Sequence, residues 1–335
     1  MNNHGGRPTV FDVARSAQVS IATVSRVLNG RTVTDQTLVA RVRRAANELG
    51  YRPNMVARDF RHGGTRTVGV VIPDLANPFF PEVVKGIAHD VTADDRRLLI
   101  ADSGESPDEE LRLVGELSGR CDGIVLCSPR MPAENLESVA RWGIPLVCTN
   151  REVAGLPLCT IGIDSAIGMV QAVEQLAGLG HRHIGYLAGP PSSWSDGERR
   201  AGLDEAARTH GVRASIEVAG ATSDDGHRVL PELLRRNVTA VLAFNDLVAL
   251  GALARLRELG LSVPADVSVV GFDDIPVAAF LGPPLTTVAV AKAELGRRAS
   301  EMLRRLAAGD ADQQQERLPS TLVVRGSTGP AVPDA

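Results

Sequence analysis

The chain has 335 residues, of which 44% are apolar and 23% are charged, and its formal net charge is −4. This composition is typical of a globular protein and excludes a disordered chain, and the length favours a small domain joined to a larger one. Because no apolar run is as long as a membrane span and the first residues lack an apolar secretion signal, we expect a cytoplasmic protein without membrane association.

Charge is distributed unevenly along the chain. Residues 1–64 contain 10 arginines, no lysine and 4 acidic residues, a net charge of +6, whereas the remaining residues carry −10. A basic end on an acidic body favours a polyanionic partner for the first 64 residues alone. Clustering of charge on a solvated face is the alternative, and charge by itself does not decide between the two.

The first thirty residues predict two short helices. Thr9 and Asp12 suit a helix start, and apolar residues recur at helical spacing as far as Ala17. Ser20 can cap a second helix, whose inward face would consist of Val24, Val27 and Leu28. Two short helices with the apolar residue Val19 in the turn between them predict a helix-turn-helix, whose second helix lies in the major groove of DNA.

The outward face of this second helix predicts the base contacts. It carries Ile21, Ala22, Ser25, Arg26 and Asn29. Arg26 is the candidate for a specific contact, because a guanidinium can bond both O6 and N7 of guanine. Ile21 and Ala22 offer only apolar contact, for example with a thymine methyl group. For an isolated helix pair, a solvent-exposed arginine without a DNA role is the alternative.

A third helix is predicted from Asp35 to Leu49, with Gly50 just past its end. Its buried side is expected to contain Leu38, Val42, Ala45 and Leu49. The sequence YRPN (51–54) then breaks the helix, and the short basic segment after it, which ends in two glycines, looks like a hinge.

The rest of the chain alternates between apolar runs and helix-like stretches. Runs such as TVGVVI (67–72) and HIGYLA (183–188) are separated by stretches such as FFPEVVKGIAHDVTA (79–93). This alternation predicts parallel sheets covered by helices. Since TVGVVIPD and HIGYLAGP each open a similar series, we expect two similar lobes.

Polar side chains follow many of these predicted strands, at the edge where open α/β sheets bind ligands. Each one alone has an equally good interpretation as a helix cap, whereas convergence on one cleft would favour a ligand site. The residues are Asp74, Asn77, Asp102, Ser128, Asn150, Asn245, Asp246, Asp273 and Asp274.

Catalytic and metal-binding motifs are lacking in the sequence. The four cysteines lie in apolar stretches without a C-x-x-C pair, which predicts buried, reduced thiols and no metal site. The sequence has no Gly-x-Gly-x-x-Gly, P-loop or nucleophile elbow, and His181 and His183 fit a turn before a strand better than catalysis. We therefore expect neither enzymatic activity nor a cofactor.

Taken together, the motifs resemble the lactose/galactose repressor (LacI/GalR) family. VFDVARSAQVSIATVSRVLNG and ELGYRPNMVARDFRHG resemble its headpiece and hinge, and blocks from GVVIPDLANPFF through FNDLVALGAL and VSVVGFDDIP to LVVRGST follow in the family's order. The resemblance covers residues 7–329. It implies an all-α helix-turn-helix headpiece over 7–52 and a hinge over 53–64. A two-lobed α/β periplasmic-binding-protein-like domain for effector binding and dimerisation would span 66–329, with crossovers near 164, 290 and 320.

The resemblance also implies a function. The protein would be a sequence-specific transcriptional regulator, a repressor, that binds a palindromic operator in double-stranded DNA as a homodimer under the control of a small-molecule effector, a sugar or sugar derivative. Family positions for DNA contact are Thr9, Ser20, Ile21, Ala22, Thr23, Ser25, Arg26, Asn29, Tyr51, Asn54, Ala57 and Phe60. For the effector they are Phe79 as an apolar wall, Ser128, Asn150 and Asn245 as neutral partners, and Arg199 with Asp273 as a charged pair. Trp194 would either stack on the effector or anchor a loop.

The sequence departs from the family pattern at several positions. Phe60 stands where a leucine usually wedges into the minor groove, and Asp59 places a carboxylate near phosphates. Leu38-Val39 replaces a usual Thr-Arg, so a phosphate contact is expected to be lost. Ala289-Val290 replaces a usual Arg-Gln, so a polar effector contact is expected to be missing.

Two other classes of protein are weighed against this interpretation. A solute-binding protein of a transport system would share the body, but the basic headpiece and the missing signal sequence count against it. A sugar-modifying enzyme would show turnover of a bound sugar, and no catalytic constellation supports it. The C-terminal TGPAVPDA lacks heptads, so a dimer is expected rather than a tetramer held by a coiled coil.

Overall fold

The computed structural model describes residues 8–28, 35–51, 64–153, 155–156, 158–310 and 315–332. The chain forms two compact units, Met1–Thr65 and Arg66–Ala335. Within these described residues, no helix has the length and apolar character needed to cross a membrane.

The first unit contains three helices in its described part, each capped by the side chain that precedes it. The helix start predicted at Thr9 is confirmed, and Thr9 and Asp12 form a capping box there, in which the Asp12 carboxylate accepts the Thr9 N–H at 2.9 Å. The Ser20 hydroxyl accepts the N–H of Thr23 at 3.2 Å, and Asp35 accepts that of Leu38 at 3.1 Å. The helices are α1 (Val10–Ser16), α2 (Ile21–Leu28) and α3 (Gln36–Glu48).

The apolar faces of the three helices enclose a small core. Its buried members are Val13, Ala14, Ala17, Val24, Val27, Val42, Ala45 and Ala46. The prediction that Leu49 is buried is wrong: α3 ends at Glu48, and the Leu49 side chain is 37% exposed beyond the last turn. The partly buried Tyr51 packs on the core instead, as do Leu38 and Val39. The departure at Leu38-Val39 therefore has a packing role.

The second unit contains two six-stranded sheets, one for each lobe, as the alternating pattern predicts. Lobe 1 contains β1 (Thr67–Ile72), β2 (Arg97–Asp102), β3 (Gly123–Cys127), β4 (Leu146–Thr149), β5 (Cys159–Ile163) and β11 (Gln315–Leu318). Lobe 2 contains β6 (His183–Ala188), β7 (Arg213–Val218), β8 (Ala240–Ala243), β9 (Ser268–Asp273), β10 (Thr286–Val290) and β12 (Ser320–Val323). The strand orders are β11-β5-β4-β3-β1-β2 and β12-β10-β9-β8-β6-β7, so both lobes have the same arrangement. Each ladder is parallel except that of β10 with β12.

Helices cover both sheets. Lobe 1 is packed by α4 (Phe79–Ala93), α5 (Pro107–Ser118), α6 (Ala133–Ala140) and α11 (Lys292–Ala307). Lobe 2 is packed by α7 (Ser165–Gly178), α8 (Trp194–His210), α9 (Ser223–Leu234) and α10 (Asp246–Glu258), and a short 3-10 helix spans Pro276–Phe280. Close helix contacts depend on glycine. A Cβ on Gly296 of α11 would lie 2.0 Å from the Val83 carbonyl of α4, and one on Gly251 of α10 would lie 1.8 Å from the Ser223 carbonyl of α9.

The chain passes between the lobes three times. It crosses at Asp164 between β5 and α7, at Ala291 between β10 and α11, and at Pro319, which alone separates β11 from β12. Two of these crossings are tied together, since the Ser320 hydroxyl donates to the Asp164 carbonyl at 2.6 Å. Neither lobe is therefore a continuous stretch of sequence.

The four cysteines lie in or beside the lobe 1 sheet, and all are buried thiols outside any disulfide, as predicted. Burial raises the pKa of the Cys127 and Cys148 thiols to about 12, so both are protonated and unreactive at neutral pH. Among the described residues, no group of three or more His, Cys, Asp or Glu side chains could hold a metal ion.

Candidate functional site

The second helix of the headpiece exposes the face predicted to read bases. Ile21 is 41% exposed, Ala22 and Arg26 are also exposed, and the buried Val24 and Val27 lie on the opposite face. The Arg26 side chain lies along the helix, with its Nε 3.5 Å from the Ala22 carbonyl. This orientation leaves a small apolar patch beside one guanidinium, which suits the edges of a thymine and a guanine.

Other predicted DNA-contact residues have roles within the headpiece. Thr9 donates its hydroxyl to Asp12 at 2.6 Å, and the Ser20 and Thr23 hydroxyls lie 2.9 Å apart. Ser25 is half-buried, and Tyr51 is partly buried against the headpiece core. The remaining predicted positions, together with the predicted hinge, lie outside the described residues: Asn29, Asn54, Ala57 and Phe60.

A cleft between the two lobes brings together all six residues predicted for the effector. The space between its walls, including the part that is open to solvent, is about 340 Å³. Lobe 1 contributes the start of α4 and the segments after β3 and β4, and lobe 2 contributes α8, the segment after β8 and the last residue of β9. The six residues are Phe79, Ser128, Asn150, Arg199, Asn245 and Asp273.

Of the nine polar residues predicted at strand ends, five line this cleft: Asn77, Ser128, Asn150, Asn245 and Asp273. The other four hold neighbouring segments in place. Asp102, for example, accepts the N–H groups of Leu75 and Gly104, both at 2.8 Å. Asp246 is fully buried and accepts the Thr287 hydroxyl at 2.6 Å and the Ile275 N–H at 2.8 Å.

Three of the six residues predicted for the effector have backbone angles that side-chain-bearing residues rarely adopt. Ser128, Asn150 and Asp273 have φ values of 48°, 50° and 106°. Such conformations cost free energy and persist where the surroundings hold them, typically at ligand sites. Here the Asn150 carboxamide accepts the Ile163 N–H at 3.1 Å and lies 3.3 Å from the Ser128 hydroxyl.

Asn245 has both of the roles that its position in the sequence allows. Its oxygen accepts the Val248 N–H at 2.8 Å and so caps α10. Its amide nitrogen donates to the carbonyl of Ala221, another lining residue, at 2.9 Å. The helix cap thus fixes the wall of the cleft, and the two interpretations do not exclude each other.

Arg199 and Asp273 form an ion pair whose groups can still form hydrogen bonds with a ligand. The nearest atoms, Nη2 and Oδ1, are 3.6 Å apart, which is too far for a direct hydrogen bond. Arg199 is stacked between the rings of Phe272 and Phe244, with its Cζ 3.6 Å and 4.7 Å from their centroids, and it donates to the Phe244 carbonyl. In the described part of the chain, its Nε has no hydrogen-bond partner.

Burial controls the charge of Asp273. It raises the pKa of this carboxyl to about 6, and the cations of Arg199 and Lys292 act in the opposite direction. The Lys292 ammonium donates to the carbonyls of Asp273 and Asp274 at 2.6 and 2.9 Å. At neutral pH Asp273 is therefore mostly ionised and can accept hydrogen bonds from ligand hydroxyl groups.

Six further residues line the cleft that were not predicted from the sequence: Phe80, Glu105, Arg130, Ser195, Ala221 and Phe244. Glu105 and Arg130 each follow a predicted strand by two or three residues. The expectation that polar residues after strands line the ligand site could therefore have been extended to them. Trp194 is not among the lining residues in the described part of the chain. Its ring is half-buried, 5.5 Å from the Arg317 guanidinium, which fits a loop anchor.

A helix-turn-helix headpiece joined to a two-lobed α/β domain with a polar cleft defines a ligand-responsive DNA-binding regulator. Residues 9–54 match the bacterial regulatory proteins of the lacI family, and residues 173–328 match the periplasmic binding protein-like domain. The chain belongs to the lacI family and is a transcriptional regulator.

Individual relatives agree with this assignment over nearly the whole chain. The HTH-type transcriptional repressor CytR of Escherichia coli K12 is 34% identical over 327 residues, which cover 96% of each chain. The structure of the Lac repressor dimer bound to operator and the anti-inducer ONPF has a TM-score of 0.84 at 29% identity, covering 97% of this chain and 100% of that one. The complex of the regulator CelR with cellobiose has a TM-score of 0.73 at 33% identity, covering 96% and 100%.

Proposed function

We propose that this protein is a cytoplasmic repressor that binds a near-palindromic operator as a homodimer, and that a sugar or sugar derivative in the interlobe cleft changes its affinity for DNA. The observation that carries the proposal is the cleft itself, where six residues from both lobes meet around about 340 Å³ of space. Relatives with a solved structure include one with cellobiose and a dimer on operator DNA.

On the DNA side, α2 supplies the contacts that depend on sequence. Arg26 reads a guanine, and Ile21 with Ala22 contacts a thymine methyl group. The Ser20 hydroxyl at the start of α2 suits a phosphate oxygen, which helps to fix the position of the protein on the duplex. The Thr9 hydroxyl can donate to a phosphate only by giving up its bond to Asp12. Two copies of this helix, one from each protomer, would meet the two halves of a palindrome.

On the effector side, the cleft matches a ligand rich in hydroxyl groups. Carboxylate, amide and guanidinium groups bond two adjacent hydroxyls at once, and Phe79 adds an apolar wall with its ring 5.1 Å from that of Phe80. Since the cleft has a wall on each lobe, a ligand that contacts both walls binds one lobe arrangement more tightly than another. That difference in affinity is the source of the coupling to DNA.

The DNA-binding proposal is tested by selecting operators from random duplex DNA at moderate salt with the wild-type protein, Arg26→Ala and Arg15→Ala. Arg15 is a matched control, because it lies on α1 with a side chain that is 83% exposed. The wild type and Arg15→Ala should enrich the same palindrome, whereas Arg26→Ala should lose preference at one base pair of each half-site. Failure of the wild type to enrich any sequence would contradict the proposal, since non-specific phosphate attraction is weakened under these conditions.

The effector proposal is tested on the selected operator with a panel of sugars. At least one should change the operator affinity of the wild type, and the same sugar should have no effect on Asp273→Asn. A response that persists in Asp273→Asn would place the effector outside this cleft.

A further inference from the structure

The cleft contains one ion pair on each lobe. Glu105 pairs with Arg130 on lobe 1, and Asp273 pairs with Arg199 on lobe 2. These four are the charged members of the described lining, so positive and negative charges balance across it.

The Glu105–Arg130 pair of lobe 1 is fully hydrogen-bonded, unlike the Arg199–Asp273 pair of lobe 2. Nε and Nη2 of Arg130 lie 2.5 and 2.9 Å from the two carboxylate oxygens of Glu105, and Nη1 donates to the Ser128 carbonyl at 2.9 Å. Each of the three guanidinium nitrogens therefore already has an acceptor. The Arg130 side chain is only 3% exposed, whereas that of Glu105 is 25% exposed.

Hydrogen bonds to a buried carboxylate hold the loop that carries Arg130 in place. The fully buried Glu110 accepts the N–H groups of Arg130 and Met131 at 2.9 and 2.7 Å through one oxygen. The backbone of this loop cannot move toward a ligand without breaking these bonds, and the Arg130 side chain cannot do so without breaking its bidentate bond to Glu105.

The turn that carries Glu105 is also specialised. Glu105 has a φ of 62°, in the region that favours glycine, and its N–H donates to the Pro73 carbonyl at 2.8 Å. The backbone of a residue other than glycine is strained in this conformation, and such strain is typical of functional positions. The effect here is to hold a carboxylate against the Arg130 guanidinium at the wall of the cleft.

We propose that Glu105 determines the charge specificity of the cleft: by occupying Arg130, it restricts the effector to uncharged polyhydroxylated molecules and excludes their phosphorylated or carboxylated counterparts. This inference rests on the proposed effector role of the cleft. Because the Glu105 side chain is 25% exposed and that of Arg130 only 3%, an anionic group at this wall is more accessible to the carboxylate than to the guanidinium, and like charges brought together oppose binding.

The test compares neutral and anionic sugars in matched pairs, by calorimetric titration of the full-length protein. The probes are glucose with glucose 6-phosphate and glucuronate, galactose with galactose 6-phosphate and galacturonate, and ribose with ribose 5-phosphate. The variants are Glu105→Gln, Glu105→Asp and Glu109→Gln. The last is a charge-matched control, because Glu109 lies on α5 outside the cleft and pairs with Arg112.

The wild type and Glu109→Gln should bind a neutral sugar and discriminate against its anionic counterparts. Because the carboxamide in Glu105→Gln keeps only one acceptor oxygen, one of the Nε and Nη2 donors of Arg130 becomes available and the negative charge is removed. The ratio of anionic to neutral affinity should therefore rise by at least about tenfold. Glu105→Asp keeps the charge and should keep the discrimination, which separates the effect of charge from damage to the fold.

An unchanged affinity ratio in Glu105→Gln, or a wild type that prefers a phosphorylated sugar, would overturn the inference and leave the proposed function intact. If no neutral or anionic sugar binds the wild type or alters operator binding, the inference and the proposed sugar effector both fail.

Discussion

The two lobes have the same strand order, yet they treat charge in the cleft differently. In lobe 1 the Glu105–Arg130 pair satisfies itself through two direct hydrogen bonds. In lobe 2 the Arg199–Asp273 pair is 3.6 Å apart, and Nε of Arg199 has no partner among the described residues. A buried polar group without a partner is costly, so its presence indicates where a ligand can supply the missing bonds. The two lobes share one fold, yet lobe 1 provides a closed wall, whose charged groups bond each other, and lobe 2 provides an open wall, whose charged groups can still bond a ligand.

The largest expected effect is at the open wall. Arg199→Met keeps much of the stacked volume between Phe244 and Phe272 but removes the donors, so effector affinity should fall by about 10- to 100-fold, as for hydrogen bonds to a charged group. Operator binding without effector should persist, which effector titrations of the protein–operator complex would show. Arg208→Met, at an exposed position of the same helix, should leave the effector affinity unchanged.

The second prediction tests whether the lobes are equivalent in their packing, although they differ in their charges. A Cβ at Gly296 in lobe 1 or at Gly251 in lobe 2 would lie within 2.0 Å of a carbonyl of the neighbouring helix. Each alanine variant should lower the free energy of unfolding by about 1–3 kcal/mol in urea titrations. In Gly197→Ala, where no atom lies within 4 Å of the new Cβ, the protein should be no less stable. An effect in only one lobe would contradict the equivalence.

The third prediction concerns the pH dependence of the open wall. The pKa of Asp273 is raised from 3.8 to about 6, so its protonated form stabilises the folded state below pH 4, and this contribution is lost as the pH rises through 6. Asp273→Asn should therefore be more stable than the wild type at pH 7.5, by about 1–3 kcal/mol, although it does not respond to effector.

The measurement for Asp273→Asn is the free energy of unfolding in urea at several pH values. The difference between variant and wild type should shrink between pH 7.5 and pH 4.5. Asp204→Asn, at an exposed position on α8, serves as the control and should give a small difference that does not follow this pattern. A destabilised Asp273→Asn at pH 7.5 would mean that the contact with Arg199 outweighs the cost of burial.

The smallest expected effect is at the link between the lobes. Arg317 on β11 bonds both oxygens of Glu152 in lobe 1, at 2.8 and 2.9 Å, and Glu198 of α8 in lobe 2 at 2.8 Å. Since its side chain is 39% exposed, Arg317→Gln should change the free energy of unfolding by less than about 1 kcal/mol. The equilibrium between lobe arrangements should shift nevertheless. Calorimetry would detect this shift as a roughly two- to fivefold change in effector affinity, and the change should become smaller at high salt.

The sequence predicted the strands and helices because apolar periodicity is local, and it predicted five polar cleft residues because parallel strands end at a common edge. Phe79 and Arg199, which lie on helices, were predicted by the family resemblance alone. It could not predict the bond between Glu105 and Arg130, which depends on how two loops 25 residues apart are placed against each other. Nor could it separate Asp246 from Asn245, although they are adjacent: one side chain turns under the cleft and the other lines it. Leu49 was predicted to be buried because it fits the helical spacing of apolar residues, but the helix ends at Glu48.

The third crossing has a consequence for biosynthesis. β11 and β12, with only Pro319 between them, are the last strands to be made, and they complete the exposed edges of β5 and β10 in separate sheets. A nascent chain that stops before residue 315 would leave both sheets with an unpaired edge, a template for aggregation. A late nonsense codon should therefore yield an insoluble fragment rather than a regulator that has lost only its tail.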